Sequence, residues 1–193
     1  MKIKSLLIMV AAIVMTSCGG NNTKNADDNS AEAVAATGAM DIDSLMDNAE
    51  ELTDELIEIE GICTHICSHS GRKIFLMGSD DSKIIRIESG ELGAFDQRCV
   101  NSIVKVKGHL REDRIDEAYL KQWEAEVAAQ TAEEHGDGEG GCSTEKAARG
   151  ETGTTVEERI ADFRTRIAAR KEATGKEYLS FYYVVAESYE VLE

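Results

Sequence analysis

Residues 57–76 read IEIEGICTHICSHSGRKIFL: a strand, a tight turn at Ser70-Gly71, and a second strand beginning at Lys73. Turn residues flanked by β-branched runs carry that reading. Along the first strand stand Cys63, His65, Cys67 and His69, each two residues beyond the last. Successive side chains of a strand point to opposite faces, so an unbroken strand places all four on one side. Cys63 and Cys67 then share the phase of Ile57 and Ile59 and face a core. A bulge at Gly61 would instead turn Ile62 and Ile66 inward.

Upstream, Ser44 can cap a short helix with Leu45, Ala49, Leu52 and Leu56 at helical spacing. Downstream, residues 73–77 form a second strand and residues 79–82 a turn. A third strand covers 83–87, followed by a glycine-bearing connection with Leu92, Phe95 and Cys99. Residues 103–110 alternate Val104 and Val106 with Lys105 and Lys107, which predicts a fourth strand. A helix from Ile115 carries Ile115, Tyr119, Trp123 and Val127 on one side, and residues 135–141 are an acidic, glycine-rich loop. A second helix from Thr155 presents Val156, Ile160, Phe163 and Ile167 and stops at Gly175. A last strand rich in Tyr and Val covers 178–192.

Four strands, then helices, then one strand is the order of a five-stranded Greek-key barrel. The fold class is mostly β with helical additions (α+β), with a helical insertion at about 115–175 between strands four and five. The pattern resembles the OB-fold, including Gly61 in a long first strand and Gly108 late in the fourth. In that fold the insertion replaces a loop that commonly contributes to the binding face.

The N-terminus has its own logic. Lys2 and Lys4 precede an apolar run over residues 6–14 and the small Thr16 and Ser17. This is a secretory signal, too short to stay in a bilayer as a spanning helix. Met15-Thr16-Ser17-Cys18-Gly19 resembles the lipobox of bacterial lipoproteins. The resemblance implies that residues 1–17 are a signal peptide, that Cys18 is lipidated, and that the chain is held in the cell envelope. Gly19 after the cysteine points to the outer membrane, on its periplasmic or surface face. Residues 18–40 are rich in Asn, Asp, Ala, Ser, Thr and Gly and read as a flexible tether. The domain proper is 41–193.

Thirty-seven acids against 21 Lys and Arg give a formal net charge of -16. A surface of that sign repels phosphates and anionic headgroups over roughly 8–10 Å at physiological salt. Residues 53–114, however, hold 11 acids and 9 bases, so most of the excess lies outside the first four strands. Arg72, Lys73, Lys105 and Lys107 could meet phosphates on an OB barrel. Only Phe75 and Phe95 are aromatic in this region, and single-strand binding relies on stacked rings. Solvated strand faces are the better reading, and a nucleic-acid partner is disfavoured.

Cys63 and Cys67 would have Cα atoms about 13 Å apart in an extended strand, beyond the ~7 Å that a disulfide allows. Pairing of either with Cys99 or Cys142 stays open. Alternate strand residues lie roughly 6.6 Å apart, so three of them cannot converge on one zinc at about 2.0–2.3 Å. Two neighbours from this strand joined by His135 and Cys142 could. Zinc, copper(I) or a haem iron would suit the set Cys63, His65, Cys67, His69, His135 and Cys142. Core packing, disulfide formation and thiol redox chemistry compete for the same cysteines. His109 reads as a surface histidine, and Cys99 beside Val100 as buried. No phosphate loop, nucleophile elbow or metalloprotease motif is present, so no catalytic residue is assigned.

The segments TH-x-C-x-HSG-x-K, FLMG, GAFD and RIDEAYLKQWEAE together resemble envelope lipoproteins of Bacteroidales across roughly residues 44–193. That resemblance implies a fold and a compartment and carries no established activity. The sequence therefore leads to three expectations. The first is a non-enzymatic, lipid-anchored OB-fold module binding a small ligand or an envelope protein. The second is a metal- or haem-handling protein, and the third an oligonucleotide-binding domain.

Overall fold

The alternating stretches form one sheet that closes on itself. The computed structural model describes residues 38–133 and 143–192. In chain order they form β1 (Met40–Asp41), α1 (Ile42–Asn48), β2 (Leu56–Ile66), β3 (Lys73–Met77), β4 (Ile84–Glu88) and β5 (Ile103–Asp116). There follow α2 (Glu117–Glu133), α3 (Ser143–Ala148), α4 (Val156–Thr174) and β6 (Tyr178–Leu192). The strand order is β1-β2-β3-β4-β6-β5, and a further β2–β5 pairing closes β2, β3, β4, β6 and β5 into a ring. Around that ring only β4–β6 is parallel, with Arg86 opposite Tyr183. The architecture is the OB-fold-like barrel expected, with three helices, among the described residues, inserted before its closing strand.

The inward phase of each strand fills the barrel. Ile59, Ile74, Leu76, Ile85, Ile87, Val104, Val106, Leu110 and Val184 are buried there. Each such side chain contributes about 1.5–3 kcal/mol of burial. Gly61 lets β2 turn from β5 toward β3 beneath α1. A Cβ at that position would lie 2.8 Å from Ile42 Cγ1 and 3.0 Å from the Met77 carbonyl. Gly108 faces a bulge in β6 at Glu187, and a Cβ on it would sit 2.2 Å from the Val185 carbonyl oxygen. A side chain there would force the two longest strands apart.

A second, smaller core lies between the insertion and the far end of the barrel, built from Ile115, Leu120, Ile160, Phe163 and Leu179. Its main helix, α4, begins and ends as the sequence predicts. Thr155 and Glu158 form a reciprocal capping box, and Gly175 closes the C-terminus in the left-handed region.

Several boundaries differ from the sequence reading, each for a local reason. The cap of α1 is Asp41, whose carboxylate accepts from the Ser44 amide at 2.8 Å, rather than Ser44 itself. Met40, assigned to the tether by composition, pairs with Ile59 as β1. β5 does not stop at Leu110, because β6 offers a partner all the way to Asp116 opposite Tyr178. Ile115 is consequently a strand residue, and α2 starts two residues later. Its buried position is Leu120, while Tyr119 is 44% exposed.

Candidate functional site

The Cys/His strand does not present one face. A bulge between Cys63 and His65 resets the register, so that Cys63 lies opposite Leu76 and His65 opposite Phe75. Cys63 keeps the inward phase of Ile57 and Ile59, and after the bulge Ile66 takes that phase instead of His65 or Cys67. The irregularity sits at Thr64, three residues beyond Gly61. Cys63 is wholly buried, its thiol donates to the His65 carbonyl oxygen at 3.6 Å, and burial pushes it up to about 11. Cys99, wholly buried in the same core, is raised by burial too. Burial holds both above the ordinary thiol range, which disfavours the free thiolate that nucleophilic chemistry requires. Cys63, Cys67 and Cys99 are all free.

Cys67 is buried outside the barrel's core cluster, and His69 is exposed in the turn. The ring of His65 lies 5.9 Å from that of Phe75 on the outer side of the sheet. Among the described residues no three His, Cys, Asp or Glu side chains are grouped so as to hold a metal ion. Cys18, His135 and Cys142 lie outside the described residues. His109 is partly exposed near Glu187, in line with the surface role expected of it.

A different cluster is assembled on the outer face of β3, β4 and β6. There the phase opposite to the core carries Lys73, Phe75, Arg86, Glu88 and Tyr183. Such positions on a barrel are ordinarily wet, yet Phe75 is completely buried and the Arg86 side chain is only 10% exposed. The insertion covers them. α3 lays Glu145 across the face, and its carboxylate meets Arg86 through Oε1 and Lys73 through Oε2, the latter at 3.2 Å. Arg149, just past α3, approaches the same Oε1 at 3.5 Å and Asp113 at 3.4 Å. Arg86 also donates to Asp113 at 2.9 Å and stacks over the Tyr183 ring, 4.4 Å from its centroid.

Burial pushes the Glu145 carboxyl up, but Arg86, Lys73 and then Arg149 outweigh it and hold the group below its ordinary range. It is therefore an anion with three cations around it. Arg86 Nε is buried and makes no hydrogen bond among the described residues, its nearest carboxylate being Glu88 at 3.3 Å. Beside the cluster lies a cleft of about 70 Å³, lined in part by Phe75, Ile84, Arg86, Glu145, Ala148 and Phe181. A second cleft of about 200 Å³, bounded by Trp123, Arg159 and Phe163, shares Glu145 and Arg149 as its wall.

Chemically this arrangement can recognise a planar anion against an aromatic floor. A guanidinium fork, an ammonium and a second guanidinium converge on one carboxylate position. Among the described residues no nucleophile–base pair accompanies them. Sequence reasoning placed Lys73 on a solvated strand face and passed over Arg86, Glu145 and Arg149. The only available signal is a lone arginine flanked by isoleucines in β4, IIRIE. Nothing in the sequence around Glu145 sets it apart from the many acids of the insertion. No protein-family model matches the chain, and no curated protein is significantly similar to it.

Proposed function

We propose that this chain is a non-enzymatic binding module of a bacterial cell envelope, anchored at the outer membrane through lipid on Cys18. Its barrel binds a ligand or a partner protein on the outer face of β3, β4 and β6. The carrying observation is that face itself: Phe75, Arg86 and Tyr183 are held on the outside of a barrel and roofed by an insertion. The corresponding strands and the loop replaced by the insertion are the surfaces on which OB-folds commonly bind. The basic, apolar, small-residue order of residues 1–18 supports export and acylation, and the composition of 19–37 supports a tether long enough to free the domain from the bilayer.

Two measurements test this. Cells fed a labelled fatty acid should incorporate it into the wild-type chain and not into Cys18→Ala, which should move to the soluble fraction. Unlabelled, soluble wild-type protein would remove the anchor. Purified domain incubated with cell-envelope extract should retain a small molecule or protein identifiable by mass spectrometry, and Arg86→Gln should lose it. Recovery of nothing would remove the binding reading.

A further inference from the structure

We propose that Lys73, Arg86 and Arg149 form a carboxylate-binding site, and that Glu145 is its internal occupant, displaced when a carboxylate from outside takes its place. The inference rests on reading the β3–β4–β6 face as a binding surface and goes further by naming what that surface takes.

Charge is the first argument. Three cations, Lys73, Arg86 and Arg149, meet three carboxylates, Glu88, Asp113 and Glu145. Glu88 and Asp113 belong to barrel strands and cannot leave without breaking the sheet. Glu145 belongs to a six-residue helix that the barrel does not need for closure. Without Glu145 the cluster is short of one negative charge, held at low exposure, and a partly buried uncompensated cation is strongly unfavourable. The site therefore calls for an anion in that position, from within or from without.

Geometry is the second argument. One oxygen of Glu145 faces Arg86 and Arg149 while the other faces Lys73. This is recognition of both oxygens of a single carboxylate. Arg86 Nε is engaged by Glu88 at 3.3 Å, which holds the guanidinium with its terminal nitrogens toward Glu145 and Asp113. The adjoining cleft floored by Phe75 gives an apolar stem somewhere to lie. The ligand class is therefore a carboxylate on a short apolar chain, borne by a small acid or by an acidic peptide side chain.

A tethered occupant competes at an effective concentration on the order of mM. Wild-type protein consequently binds a free carboxylate weakly, and removing the occupant raises the apparent affinity by the fraction of sites released. The probe is glutarate, whose three-carbon stem matches a glutamate side chain, titrated into ¹⁵N-labelled protein. In E145Q glutarate should bind about tenfold or more tightly than in wild type, shifting the amides of Phe75, Arg86 and Arg149. Adding Arg86→Gln should abolish the gain. A folded E145Q that binds glutarate no better than wild type overturns the proposal and leaves Glu145 a structural ion-pair partner.

Should E145Q not fold, amide exchange in the wild-type protein decides. Glutarate should speed exchange across residues 143–149 severalfold over sodium chloride of equal ionic strength, and equal rates overturn the displacement. A capped peptide of residues 143–149, tested in trans on E145Q, separates the sources. Tighter binding than glutarate assigns the site to an acidic segment, and weaker binding to a small acid. If no envelope ligand is ever recovered but E145Q gains glutarate, the site stands and the wider binding role falls.

Discussion

The barrel is held by apolar packing, and its insertion by a smaller apolar core reinforced with charges. Inside the barrel, Ile, Leu and Val from five strands meet with their side chains almost wholly out of water. In the insertion, arginines lie over aromatic rings: Arg159 over Trp123 at 4.8 Å, Arg166 over Phe163 at 5.4 Å, Arg149 over Phe181 at 5.6 Å and Arg170 over Tyr178 at 5.0 Å. Arg164 on α4 clamps Glu117 and Glu124 of α2, with both pairs at 2.8 Å. The first region depends on apolar area, which salt strengthens or leaves alone. The second adds to its apolar core charges whose mutual attraction salt weakens wherever water reaches them. Ionic strength should therefore loosen the insertion while leaving the barrel closed.

Substitutions can break this contrast or sharpen it. Ile59→Ala opens a cavity in the barrel interior and should cost about 3–4 kcal/mol, seen as a lower denaturant midpoint in every probe of structure at once. Arg159→Ala leaves the Glu151 carboxylate, only 3% exposed, without its partner. The loss should be about 3 kcal/mol, confined to α4 and the segment before it, so hydrogen exchange should rise there and stay slow in β2 and β5. Equal acceleration in both regions would show that they unfold as one unit.

Thr155→Ala removes one half of the α4 capping box and should cost about 1 kcal/mol. It should lower the stability of the smaller core without touching the barrel, a difference that exchange at Leu179 against Val104 would resolve.

The smallest effect concerns pH. Asp43 accepts from the Ser79 amide and hydroxyl and pairs with Lys83 at 2.8 Å, which lowers its carboxyl to about 2. A depressed carboxyl stabilises the folded state above its ordinary value of 3.8 and stops doing so as pH falls through the folded one. Protection around α1 and Ser79 should persist at pH 4 and disappear by about pH 2. Asp43→Asn should show the acid behaviour at all pH values.

How much of this was legible depends on the range of the interaction concerned. The strand order was readable because alternation such as Val104-Lys105-Val106-Lys107 is local, and so was α4, whose capping box and closing glycine lie within its own sequence. The bulge at Thr64 was not, because its position is set by β3 on the far side of a turn. That shift left Cys63 inside and turned His65 to the other side of the sheet, so the four residues share no face. The extension of β5 through Arg111, Glu112, Asp113 and Arg114 was hidden for a similar reason. Those residues carry no strand signal and are ordered by the tyrosine-rich strand opposite. The ion cluster was the least visible of all. Lys73, Arg86, Asp113, Glu145 and Arg149 come from four separate stretches and meet only after the barrel has closed.

Ring closure itself has a temporal consequence. The strand that completes the cylinder follows the other strands of the ring in the chain and slots between partners about 75 and 100 positions earlier. Until it arrives, β4 and β5 each present a raw edge of amides and carbonyls to whatever else is nearby. The chain thus folds through a sticky, half-zipped form, and slow non-local pairing prolongs that exposure. Its vulnerable interval ends only when Tyr178–Leu192 is seated between those two edges.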